Sequence, residues 1–175
     1  MKLHLGSGSV SLPGFVNIDI VKHPGVDVIA DISNLPYEEE SIDEIYACAV
    51  LDHFGRHEWI GVLRHWHFLL KRGGCLRISV TDFEAVCREY LENLDVSSLL
   101  GLVVGGHRDQ YDRHGMIFDF NYLRDALDKV GFKDIGRYDW RDYYVGVDDY
   151  SRAYLPHMDF ETGRLMVLNM EAIKC

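Results

Sequence analysis

The 175-residue chain is 47% apolar and 26% charged, the make-up of one soluble globular domain, 1–175, able to bury roughly 70% of its unfolded surface. Its net charge of −10 argues against a nucleic-acid backbone as partner, because such binding draws on clustered Lys and Arg. Four cysteines without a CxxC spacing, an N-terminus too poor in apolar residues for a signal peptide, and no apolar run of membrane-spanning length point to a cytoplasmic protein with no membrane partner.

Five short, apolar, β-branched runs come first, at 2–5, 15–20, 26–31, 42–49 and 75–80. Several are nearly continuous, as in strands buried on both faces of a parallel sheet. Between the fourth and fifth, Trp59, Leu63, Trp66 and Leu70 recur at helical spacing before "KRGG" stops the helix. A second helix is predicted over 82–94, with Asp82 as N-cap and Phe83, Val86, Tyr90 and Leu94 facing inward. A third runs from Asp119 to Val130 and ends at Gly131; strands at 133–140 and 164–174 follow, separated by an aromatic, polar loop. Strands alternating with helices predict a Rossmann-like α/β sheet flanked by helices. The last strand is reached without a helical crossover, so it is predicted to run antiparallel. The sheet is expected to be mixed and seven-stranded, in the order 3-2-1-4-5-7-6.

The stretch "LHLGSGSVSLPGFVNIDI" reads as strand, glycine loop, strand. Gly6-x-Gly8 opens like a dinucleotide fingerprint, but Ser11 stands where the third glycine belongs and Pro13-Gly14 leaves room for one helical turn at most. A pyrophosphate needs the N-terminus of a longer helix, so a dinucleotide-dependent oxidoreductase is disfavoured. A compact zwitterion fits the glycines, and Asp19 can accept hydrogen bonds from a ribose diol. A plain tight connection with Asp19 at the surface is the competing reading of these residues alone.

With "LHLGSGS", "NIDI", "ADISNLPYEEESIDEIYACAVLDHF" and "LLKRGGCLRISV" in that order, the chain resembles the class I S-adenosylmethionine-dependent methyltransferases. The resemblance is close over 3–83, looser over 105–140 and thin beyond. Leu51-Asp52-His53 stands where the family often has Leu-Glu-His, and Ser7 where a cysteine is commoner. The resemblance implies S-adenosylmethionine as cofactor, with Gly6, Ser7 and Gly8 around the methionine end and Asp19 on the ribose. It places Asp31 and Ile32 at the adenine, and Ala47 and Cys48 along the methionine moiety. Asp31 also has a simpler reading, as a cap on the turn before "SNLP".

Methyl transfer asks for positioning, a dry site and, for an oxygen acceptor, a base. His53, following the fourth strand, is the first candidate base, with His114 and His107 in the polar loop "GGHRDQYDRHGMIFDF" as alternatives. No histidine or cysteine spacing suggests a metal. The segments 96–118 and 141–163, or a second subunit of a homo-oligomer, are expected to cover the cofactor. The implied acceptor is a small molecule or sugar, methylated at oxygen; the alternative is a non-catalytic cofactor-binding module or partner subunit.

Overall fold

The computed structural model describes residues 1–144 and 146–175. Strands β1 (Lys2–Leu5), β2 (Val16–Asp19), β3 (Val28–Ile29) and β4 (Ile42–Cys48) lead to helix α1 (Trp59–Leu69) and the long strand β5 (Leu70–Thr81). Helices α2 (Phe83–Asn93), α3 (Leu100–Val104) and α4 (Phe120–Val130) precede β6 (Phe132–Arg137). A two-stranded hairpin, β7 (Tyr154–Leu155) with β8 (Arg164–Leu165), precedes β9 (Val167–Lys174). The main sheet has seven strands in the order β3-β2-β1-β4-β5-β9-β6. Its first five strands pair in parallel, and β9 is antiparallel to both β5 and β6. This is the order and direction that the sequence predicts, with β9 as the seventh strand.

Local chemistry fixes the helix ends. Asp82 caps α2 by accepting from Glu84 N at 3.1 Å, and Asp119 caps α4 by accepting from Tyr122 N at 2.8 Å. Gly131 closes α4 with φ 120°, a backbone state costly for residues bearing a Cβ. Two expectations need correction. Leu70 is not the last inward residue of α1 but the first of β5, drawn into the sheet by its pairing with Ile42. In α2, Tyr90 and Leu94 are exposed, because only Ala85 and Val86 reach an apolar cluster with Leu99 and Met166.

The two faces of the sheet differ. Leu3, Leu5, Ile18, Ile45, Ala47, Leu76, Ile78, Val80, Leu168 and Met170 form the apolar face, packed with Trp59, Leu63, Trp66, Leu123 and Leu127 of α1 and α4. The opposite face carries His4, Asn17, Glu44, Tyr46, Arg77, Ser79 and Asn169, alternating with the first set as strand geometry demands. The strands are therefore not apolar on both sides. Residues from the irregular segment after β6 satisfy this second face: Tyr144 OH donates to Glu44, Asp149 accepts from Tyr46 OH at 2.6 Å, and Ser151 O accepts from Asn169 at 2.8 Å. Arg77 bridges Glu44 at 2.6 Å and Glu171 at 3.2 Å, with its guanidinium 3.8 Å from the Tyr143 ring centre.

Candidate active site

Beyond the carboxyl ends of β1, β2 and β4 lies a cleft of about 460 Å³, the place where open α/β sheets bind ligands and within the usual size range for a small-molecule site. Gly6, Gly8, Asp19, Asp31, Ile32 and His53 all line it. Gly6 has φ 65°, and a Cβ there would lie 2.5 Å from Val50 Cγ2, so glycine is what lets the loop pass beneath the end of β4. Asp19 fixes that loop: its Oδ2 accepts from Gly8 N at 2.7 Å and its Oδ1 from Val21 N at 2.8 Å. Each carboxylate oxygen keeps a lone pair for a ligand diol.

Asp31 is both a turn cap and part of the cleft wall. Its Oδ1 caps the following turn, accepting from Ser33 N at 2.9 Å and Ser33 Oγ at 2.7 Å, while the side chain borders the cleft. Ile32 is held by Trp66, whose indole N–H donates to the Ile32 carbonyl at 2.9 Å. Ala47, Cys48 and Ser7 do not line the cleft. The first two are still inside β4 with buried side chains, and burial pushes the Cys48 thiol up. The residues that leave the strand toward the cleft are Ala49 and Val50. Ser7 is buried, and its hydroxyl has no hydrogen-bond partner among the described residues.

The far wall comes from a loop that sequence reasoning flagged only for its length. Residues 108–113, part of the 96–118 segment, border the cleft, whereas no described residue of 141–163 does, because that segment packs on the polar face of the sheet; Val145 lies outside the described residues. Asp112 ties this loop by accepting from Gly106 N, Arg108 N and Arg108 Nε, and the hydrogen bond from the Arg108 guanidinium holds its carboxyl well below the usual range. Backbone bonds from Gly115 N and Met116 N to Asp52 O, at 2.8 and 3.1 Å, dock the end of the loop on the 3-10 turn Leu51–His53. A Cβ on Gly115 would lie 2.6 Å from Phe54 O, so glycine permits this approach.

The three candidate bases separate. His53 and His114 meet edge to face, ring centres 5.0 Å apart, with the buried Asp52 beside them; His114 Nε2 is 3.7 Å from Asp52 Oδ2. His107 is exposed, with Nε2 2.9 Å from Val104 O. Asp52 was not singled out in the sequence as a functional group. Its position within "LDH", next to a candidate base, was the signal for it.

Residues 15–78 match the family model described as a methyltransferase domain. Over this stretch the chain is similar to methyltransferase domains. No curated protein matches the sequence. Among solved structures, a methyltransferase from Archaeoglobus fulgidus has a TM-score of 0.61 at 12% identity, over 99% of this chain and 85% of that one. One from Thermotoga maritima has a TM-score of 0.59 at 16% identity, over 99% and 81%. The 1,6-didemethyltoxoflavin-N1-methyltransferase of Burkholderia thailandensis, with 1,6-didemethyltoxoflavin and S-adenosylhomocysteine bound, has 0.57 at 18% identity, over 99% and 70%. At these identities the chain is similar to them in fold. No helix among the described residues is long and apolar enough to cross a membrane.

Proposed function

We propose that the domain, acting as a single unit of 1–175, transfers a methyl group from S-adenosylmethionine to an oxygen of a small molecule or sugar. The observation that carries this reading is one cleft bordered at once by the glycine loop, Asp19, Asp31 and His53. The ribose and adenine ends of the cofactor have acidic partners there, and no helix N-terminus is offered to a pyrophosphate. The four free cysteines fit a reducing, cytoplasmic setting.

In the transfer, the acceptor oxygen attacks the methyl carbon in line. The carbon–sulfur bond breaks with its electron pair going to sulfur, leaving S-adenosylhomocysteine, and the acceptor's proton departs. Enzymic help with that proton is typically worth about 10²- to 10⁴-fold. His53, at the cleft wall with Asp52 and His114 behind it, is the group placed to give it; His107 stands apart.

Calorimetry with S-adenosylhomocysteine and with NAD tests the cofactor, and only the first is expected to bind. A panel of hydroxylated acceptors assayed with methyl-labelled cofactor tests the reaction. His53→Ala and His114→Ala are each expected to keep cofactor affinity and lose turnover. Tight binding of NAD, or full turnover in both variants, contradicts the reading.

A further inference from the structure

With neutral imidazoles, the contacts around Asp52 leave buried acceptor atoms without partners among the described residues. His114 Nδ1 lies 2.9 Å from the Leu102 carbonyl. A carbonyl oxygen only accepts, so Nδ1 carries the hydrogen and Nε2 of the neutral ring presents a lone pair. That lone pair faces Asp52 Oδ2 across 3.7 Å, too far for a hydrogen bond. Asp52 itself is 1% exposed, and its other oxygen, Oδ1, is buried with no partner among the described residues. His53 repeats the pattern. Its Nε2 lies 2.9 Å from Ala49 O and its Nδ1 3.2 Å from Arg113 O, yet a neutral imidazole has one N–H to give. With both rings neutral, electron-rich atoms thus converge on one small volume, where Thr81 N, 3.5 Å from Asp52 Oδ2, is the donor that the described residues bring to the carboxylate.

We propose that Asp52, His53 and His114 form a binding site for a divalent first-row transition metal, with zinc as the reference ion. One ligand atom from each lies within 4.8 Å of the others. Metal–nitrogen and metal–oxygen bonds of about 2.1 Å at a tetrahedral angle span about 3.4 Å, close to the 3.7 Å between His114 Nε2 and Asp52 Oδ2. Binding then needs a closure of up to about 1.4 Å from the remaining ligand, His53. Two imidazoles and one carboxylate suit zinc and its neighbours better than magnesium or calcium, which prefer oxygen. The surroundings match those of ligating histidines, which bind the metal through one nitrogen and donate the other N–H to a carbonyl or carboxylate. Leu102 O serves His114 in this way; Ala49 O or Arg113 O serves His53, whose other nitrogen must turn off the remaining carbonyl to reach the ion. Three protein ligands leave a position open, as in catalytic rather than structural sites, and His53 sets the cluster at the cleft wall.

The site stands on this geometry alone; the role of the ion rests on the methyl-transfer reading. With the cation bound, His53 has no lone pair left to act as a base, and help with the acceptor's proton comes instead from Lewis acidity toward the acceptor oxygen, which lowers the cost of losing it.

The test uses the full chain, stripped with chelator and titrated with zinc and with cobalt, with S-adenosylhomocysteine binding measured on the same samples. One zinc per chain is expected, and a cobalt adduct with the visible absorption of a four- or five-coordinate site. Asp52→Asn and His114→Gln should each weaken zinc binding by roughly 100-fold or more, since even outer partners of metal ligands are worth 10- to 100-fold. His157→Ala, an exposed histidine elsewhere, should leave it unchanged. Circular dichroism checks that each variant is folded; should Asp52→Asn unfold, His114→Gln decides. Zinc affinity unaltered in a folded Asp52→Asn or His114→Gln chain, or no zinc bound above the level of surface histidines, overturns the proposal. Loss of the metal result with S-adenosylhomocysteine binding intact overturns the site and leaves the methyltransferase reading standing.

Discussion

The two faces of the central sheet solve the same burial problem by opposite means. One face is aliphatic and is covered by α1 and α4, so its stability is a matter of volume and close packing. The other is a lattice of hydrogen bonds and ion pairs closed by an irregular, tyrosine-rich segment. Glu44 is the clearest case: Arg77, Lys2 and Tyr144 all meet its carboxylate. Asp52, beyond the other end of β4, is more deeply buried, and its Oδ1 has no partner among the described residues. A buried charge with every partner present is a structural device, whereas one left open is poised for something that arrives.

The largest expected effect breaks the apolar face. Trp66→Ala removes a fully buried indole and the hydrogen bond that holds Ile32 beside the cleft. Urea unfolding should show a loss of about 3–5 kcal/mol, and a loss under 1 kcal/mol would mean that α1 is not packed as described. Arg77→Ala makes the matching break on the polar face. It strips Glu44 of its closest cation while Lys2 and Tyr144 remain, and should cost about 3 kcal/mol. Arg77→Met, which refills the volume, should recover part of that loss if charge pairing rather than space is what the face depends on.

At the sheet's end, where both faces run out, Asp19→Ala sharpens the contrast between stability and binding. It should weaken S-adenosylhomocysteine by about 1.5–3 kcal/mol, roughly 10- to 150-fold in calorimetry; unchanged affinity removes Asp19 from the site. The smallest effect is in acid. Burial pushes the Glu44 carboxyl up, but hydrogen bonds from Lys2 and Tyr144 and the charge of Arg77 outweigh it, and the net shift is down from the ordinary 4.5. A lowered carboxyl contributes stability that is complete above its unfolded value and is lost as pH falls through the folded one. The unfolding midpoint should therefore drop below about pH 4.5, and Glu44→Gln should flatten that part of the curve.

Strand order, the direction of β9 and the clustering of Gly6, Gly8, Asp19 and Asp31 were legible in the sequence, because period, loop length and residue type act locally. The polar face was visible but misread. Lys2 and His4 alternate with Leu3 and Leu5, and Glu44 and Tyr46 with Ile45 and Ala47, a period-two signal hidden by the apolar bulk of tyrosine and cysteine. The short strand β3 and the outward Tyr90 and Leu94 depart from pattern because partners, not propensity, set their burial. The meeting of Asp52 with His114 could not be read at all. Sixty-two residues separate them, and what joins them is a pair of backbone hydrogen bonds and the small size of Gly115.

The placement of β9 bears on assembly. Among the described residues β6 pairs in the main sheet with β9 alone, so it is joined to β5 and the rest of the sheet only through β9. The pairing of β9 with β5 joins Cys75 to Ile173 and Thr81 to Val167, contacts far apart along the chain. The entropic toll of so long a closure grows only logarithmically, about 0.6 kcal/mol per doubling, but non-local pairing of this kind slows folding. Until β9 pairs, α4 and β6 form a helix–strand unit with two unpaired edges, a surface that templates pairing between chains. The antiparallel strand that completes the fold is thus also the step whose delay exposes the chain to aggregation.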